Sequence, residues 1–107
     1  MSLPSPTDPS QPLRVGVGTR FRIILVANHT TGYSWQLMPP IPAIVRQEGT
    51  DYQTALHADG MVGVGGWEIW TFQALTPGRA TLTFHYRRPF DPTAPPAEVA
   101  TFHIHSR

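Results

Sequence analysis

Residues Arg20–Trp35 read RFRIILVANHTTGYSW. The first eight alternate with period two: Phe21, Ile23, Leu25 and Ala27 share one face, opposite Arg22, Ile24 and Val26. That is the period of a strand, whose successive side chains leave opposite faces of a sheet. The next six, NHTTGY from Asn28 to Tyr33, form a loop of unusual stiffness. Two β-branched threonines stand side by side, followed by glycine and an aromatic. β-Branching restricts χ1, so such a loop has less freedom to lose when it binds something. Trp35 then falls on a second strand, Tyr33–Leu37, where a tryptophan suits the core of a small sandwich.

The same alternation recurs on both sides. In ATLTFHYRR (80–88), Ala80, Leu82, Phe84 and Tyr86 oppose Thr81, Thr83, His85 and Arg87. In EVATFHIH (98–105), Ala100, Phe102 and Ile104 oppose Val99, Thr101 and His103; in WEIWTFQAL (67–75), Trp70, Phe72 and Ala74 share a face. Shorter strands are expected at Leu13–Val17 and Ile44–Tyr52, and no window carries a helical stripe. Proline lacks an N–H to donate, so LMPPIPA (37–43) must leave sheet pairing. TPGR (76–79) has Pro and Gly where a type II turn takes them. Gly16 and Gly18 loosen the first link. The expectation is all-β: an immunoglobulin-like antiparallel β-sandwich of about seven strands over residues 13–107.

The composition agrees and also excludes. The chain has 107 residues, with 12 prolines, 9 glycines and no cysteine. This suits one turn-rich domain without disulfides, thiolate metal ligands or a Cys nucleophile. Eight Lys and Arg against seven Asp and Glu leave a net charge of +1, with no basic cluster for nucleic acid. No run approaches the roughly 20 apolar residues of a membrane span. Residues 1–12, MSLPSPTDPSQP, read as a disordered Pro-rich lead-in and not as a signal peptide.

An enzyme needs converging acid, base or nucleophile groups. The carboxylates Asp8, Glu48, Asp51, Asp59, Glu68, Asp91 and Glu98 form no motif, so no enzymatic activity and no cofactor are expected. His103 and His105 share a strand face, and His85 lies on the neighbouring strand. A polar outer face near a chain end explains them better than a metal site.

Successive connections of a sandwich alternate between its two ends. With strands A to G in order, loops B–C, D–E and F–G therefore share one end. B–C is NHTTGY. D–E holds HADGMVGVGG (57–66), and F–G is RRPFDPTAPPA (87–97). Each alone reads as an ordinary turn, with Gly32 taking a positive φ and Asn28 as a turn former. Together they put Thr-Thr-Gly, a glycine-rich flap and a Pro-anchored aromatic on one rigid edge. Loops on rigid scaffolds carry binding residues, and aromatics and Arg dominate binding hot spots.

These three loops resemble those of the chagasin-type inhibitors of papain-like cysteine peptidases, whose motifs are NPTTGY, GxGG and RPW or a variant with another aromatic. Here they read NHTTGY at Asn28–Tyr33, GVGG at Gly63–Gly66 and RPF at Arg88–Phe90, in the same order. The resemblance implies a reversible, tight-binding inhibitor that occludes the cleft of a papain-like cysteine protease. It implies protease-binding residues Asn28, His29, Thr30, Thr31, Gly32, Tyr33, Gly63, Val64, Gly65, Gly66, Arg88, Pro89 and Phe90. Thr30, Thr31 and Gly32 would cross the catalytic centre, Gly65 and Gly66 would allow close backbone approach, and Arg88 and Phe90 would pack on the cleft wall. It also favours a monomer, and a periplasmic or extracellular location over a cytoplasmic one.

Two residues depart from the pattern. Phe90 keeps an aromatic face but lacks an indole N–H. His29 stands where the motif has Pro. It loses a fixed φ and introduces a side chain that titrates between pH 5 and 8, so inhibition is expected to depend on pH more than in a His29→Pro variant. A solvated turn histidine is the simpler reading. The competing function is an immunoglobulin-like adhesion or carbohydrate-binding module, with Trp67 as an exposed aromatic.

Overall fold

The computed structural model describes residues 12–54, 65–91 and 93–107. Residues 1–11 of the 1–12 lead-in and residues 55–64 of the D–E connection, including Gly63 and Val64, lie outside the described residues. Seven strands appear: β1 Leu13–Val15, β2 Arg20–Ala27, β3 Ser34–Leu37, β4 Val45–Thr54, β5 Gly66–Ala74, β6 Gly78–Arg87 and β7 Glu98–Ser106. They form two sheets, ordered β1-β7-β6-β3 and β2-β5-β4.

Period-two alternation builds the core. Phe21, Ile23 and Leu25 from β2 and Trp70 and Phe72 from β5 face Leu82 and Phe84 of β6 and Phe102 and Ile104 of β7. The rings meet edge to face, Phe84 lying 5.1 Å from Trp70 and 6.0 Å from Phe102, an arrangement the ring quadrupoles favour. Trp35 is buried there, and its indole N–H donates to the Val26 carbonyl at 3.0 Å. A buried indole needs such a partner.

Among the described residues every strand pairing but one is antiparallel, since β1 runs parallel to β7, with Leu13 opposite Ile104. Parallel neighbours cannot be joined by a hairpin, and here nearly the whole chain separates them. The link TPGR also differs in detail. Gly78 has a positive φ of 147° and already pairs with Ser106 as the first residue of β6, farther round than the value near 80° of a type II turn. A bulge between Gln47 and Gly49 shifts the register of β4 on β5.

The alternation of ends holds. Gly18 N–H donates to Ala74 O and Leu75 N–H to Ile44 O, closing the short-turn end. At the other end Ala27 and Thr54 both pair with Gly66, and Ser34 pairs with Arg87. The B–C, D–E and F–G loops therefore leave the sandwich together.

Candidate functional site

The B–C loop is one turn of 3₁₀ helix, His29–Thr31, built by its own side chains. Asn28 caps it. Its Oδ1 accepts from the Thr30 N–H at 3.1 Å, while Thr31 Oγ1 donates to the Asn28 carbonyl at 2.7 Å. Gly32 ends the turn in the left-handed region, φ 83°, where glycine pays no Cβ penalty. The stiffness read from two β-branched residues is thus mainly a hydrogen-bonded brace. The Tyr86 hydroxyl on β6 accepts from the Asn28 N–H at 2.8 Å and fixes the base of the loop to the other sheet.

The F–G loop packs against this tip. Arg88–Asp91 is a turn closed by Asp91 N–H to Arg88 O at 3.0 Å, with Pro89 at its second position. Arg88 Nε donates to Thr31 O at 3.3 Å, and its guanidinium lies 4.7 Å from the Tyr33 ring centroid, within cation–π range. Tyr33 stacks in turn on Tyr86 at 5.3 Å. A Cβ on Gly32 would come within 3.2 Å of the Phe90 ring, so the phenyl lies against the glycine. Phe90 is nonetheless 74% exposed.

The D–E side approaches from β5. Gly66 is buried, and a Cβ there would lie 2.0 Å from the Gln53 carbonyl oxygen. Its missing side chain is therefore needed inside the sandwich. At Gly65 the same atom would meet Ala27 O at 3.3 Å, which is tight but open to small adjustments.

His29 is more than a solvated turn residue. Its ring stacks on Tyr52 of β4 with centroids 3.8 Å apart, and its Nε2 lies 2.9 Å from Glu68 Oε2. Glu68 is 3% exposed. Its Oε2 also accepts from the Trp35 N–H at 2.8 Å, and its Oε1 from Trp70 Nε1–H at 3.1 Å. In the sequence Glu68 is one of seven scattered carboxylates, and Tyr52 closes an expected strand. Strand parity held the missing signal for Glu68, because Glu68 and Trp70 are two apart and must share the inward face. For Tyr52 parity misleads. It lies an odd number of residues from the buried Val45, and only the bulge brings both to the same face.

Of the thirteen residues proposed for the site, the eleven described gather at this one edge, and Gly63 and Val64 lie outside the described residues. Among the described residues no group of three or more His, Cys, Asp or Glu is placed to hold a metal ion. His103 Nδ1 lies 3.3 Å from Thr81 Oγ1, and His105 pairs with Arg14 and Arg79 on the strands beside it.

Comparison with curated protein sequences finds none that matches. Solved structures do. The cysteine protease inhibitor EhICP2 from Entamoeba histolytica has a TM-score of 0.81 at 22% identity, covering 98% of this chain and 94% of its own. Amebosin gives 0.70 at 26% identity, over 96% and 94%. PbICP-C, solved in complex with falcipain-2, gives 0.64 at 18% identity, over 99% and 90%. At such identities the first and third likenesses establish the fold. The family rests on the sequence itself, because residues 14–105 match the model described as Chagasin family peptidase inhibitor I42. That span runs from β1 to β7 and takes in all three loops of the braced edge. The chain therefore belongs to the chagasin family of peptidase inhibitors and is an inhibitor, not an enzyme.

Proposed function

We propose that this protein plugs the active-site cleft of a papain-like cysteine protease, reversibly, with the edge formed by its B–C, D–E and F–G loops. The observation that carries the reading is the braced tip Thr30-Thr31-Gly32, held by Asn28 from within and by Arg88 and Phe90 from one flank. A tip ordered before binding loses less entropy on association. Three loops side by side can bury a standard interface of about 1,600 Å² in total. Phe90 and Arg88 are residue types that anchor such interfaces. The inhibitor supplies no electrophile, so inhibition leaves no covalent adduct.

The test is titration of active papain with the protein. Stoichiometric loss of activity, with no added mass on either protein in the intact complex, is the expected result. Undiminished activity at micromolar inhibitor overturns the reading and returns the adhesion module, with Trp67 exposed on β5, as its rival. The protein acts as a monomer, which leaves the edge free, and in the periplasm or outside the cell.

A further inference from the structure

Among the described residues one carboxylate is buried, Glu68, and it lies directly under the central loop. A carboxylate away from water is costly unless it is paired and hydrogen-bonded. Two of its partners, Trp35 N–H and Trp70 Nε1–H, are neutral donors. Its one ion-pair partner among the described residues is His29, whose side chain is 38% exposed and open to protons from solvent. His29 is also the first residue of the 3₁₀ turn, where proline would set φ without help. With histidine there, the side chain holds the turn instead, by stacking on Tyr52 and by the contact with Glu68.

We propose that Glu68 is a positioning residue for the inhibitory tip, acting through His29, and that this contact tightens the inhibitor's hold on its protease as the medium becomes acidic. The proposal rests on the protease-binding reading of the loop edge. Histidine is the side chain whose ordinary protonation falls between pH 5 and 8. A neutral imidazole donates to Glu68 only in the tautomer that carries its proton on Nε2, whereas an imidazolium always donates from Nε2 and adds the attraction of opposite charges. A firmer His29 stiffens Thr30 and Thr31, because the Asn28 brace ties all three into one turn. The titratable groups packed against His29 are Glu68 from β5 and Tyr52 from β4. Tyr86 of β6 reaches the loop at Asn28, and Arg88 of the F–G loop reaches it at Thr31.

The experiment measures Ki for papain at pH 5.5 and 8.0 with the parent, His29→Gln and Glu68→Gln. Each variant's Ki is divided by the parent's at the same pH, so that the enzyme's own titration cancels. For His29→Gln this ratio is expected to be about three- to tenfold larger at pH 5.5 than at pH 8.0. A ratio that is equal at both pH values, or larger at pH 8.0, overturns the proposal. Glu68→Gln should behave alike. If its loss of an acceptor beneath the tryptophans unfolds it, His29→Gln at the surface still decides the matter.

A second measurement uses the free inhibitor. The amide resonances of Thr30, Thr31 and Gly32 should follow the titration of the His29 ring, and should cease to do so in His29→Gln. Tip amides that hold still while the ring titrates also overturn the proposal. If the parent leaves papain untouched, the inhibitor reading fails, and the titration of the free protein, repeated with Glu68→Gln, still decides whether His29 reaches the tip and whether Glu68 acts through it.

Discussion

The two flanks of the B–C loop are held in different ways. Toward the F–G loop the contacts are exposed: a guanidinium over Tyr33, a phenyl ring against Gly32, and one hydrogen bond to the Thr31 carbonyl. Toward β4 and β5 they are largely buried: a carboxylate satisfied by two tryptophans and a histidine, and a glycine closed in by the backbone of β4. Exposed contacts cost little to rearrange, and their apolar surface is still available to a partner. Buried polar contacts fix a geometry, and removing one partner leaves the others unsatisfied. The first flank is suited to contact the protease, and the second to keep the tip in place.

Trp35 serves both flanks, through its backbone N–H to Glu68 and through its ring, which lies 4.9 Å from Tyr86. Trp35→Ala keeps the backbone N–H but removes the buried ring and its indole bond to Val26, and should give the largest effect, a loss of about 3–5 kcal/mol in urea unfolding. A variant as stable as the parent would remove the common footing of the two flanks. On the buried flank, Gly66→Ala should cost about 1–3 kcal/mol, because the methyl meets backbone that cannot swing away. Gly65→Ala should cost clearly less in the same unfolding assay. If the order is reversed, the D–E glycines are not divided into an inner and an outer one as the contacts indicate.

On the exposed flank, Phe90→Ala should leave stability within about 0.5 kcal/mol of the parent yet raise Ki at least about fivefold, as a hot-spot truncation above 1 kcal/mol does. A large stability loss with unchanged Ki would exchange the roles of the flanks. The smallest effect is expected far from both, at Glu48. Hydrogen bonding to Arg20, with Arg46 beside it, holds its carboxyl below the ordinary glutamate value. A depressed carboxylate stabilises the fold above its unfolded pKa, and that contribution is lost as pH falls through the folded value. Glu48→Gln should therefore flatten the acid limb of the stability curve slightly, since the group is exposed and solvent screens it. An acid limb identical to the parent's would show that the pair contributes nothing.

Much of this architecture was legible in the linear pattern. Phe21, Leu82, Phe84, Phe102 and Ile104 alternate with polar neighbours, and all are buried. Alternating connections implied that three loops would share one end, and the strand residues that lead into them, Ala27, Thr54, Gly66, Ser34 and Arg87, lie at that end. Pairing partners were not legible, because a strand's sequence carries its faces but not its neighbours. The parallel β1–β7 pair and the displaced start of β6 at Gly78 follow from how the two ends of the chain dock.

The sequence by itself determined the inward and outward faces, the places where proline and glycine stop a strand, and the order of the three loop motifs. Each depends only on residues close together in the chain. Tertiary structure alone decided that His29 meets Glu68, that Arg88 reaches the Thr31 carbonyl, and that Tyr52 turns under the loop. These pairs stand 39, 57 and 23 residues apart. Only the closing of two sheets around one core brings side chains so distant to within a hydrogen bond or a stacked ring of each other.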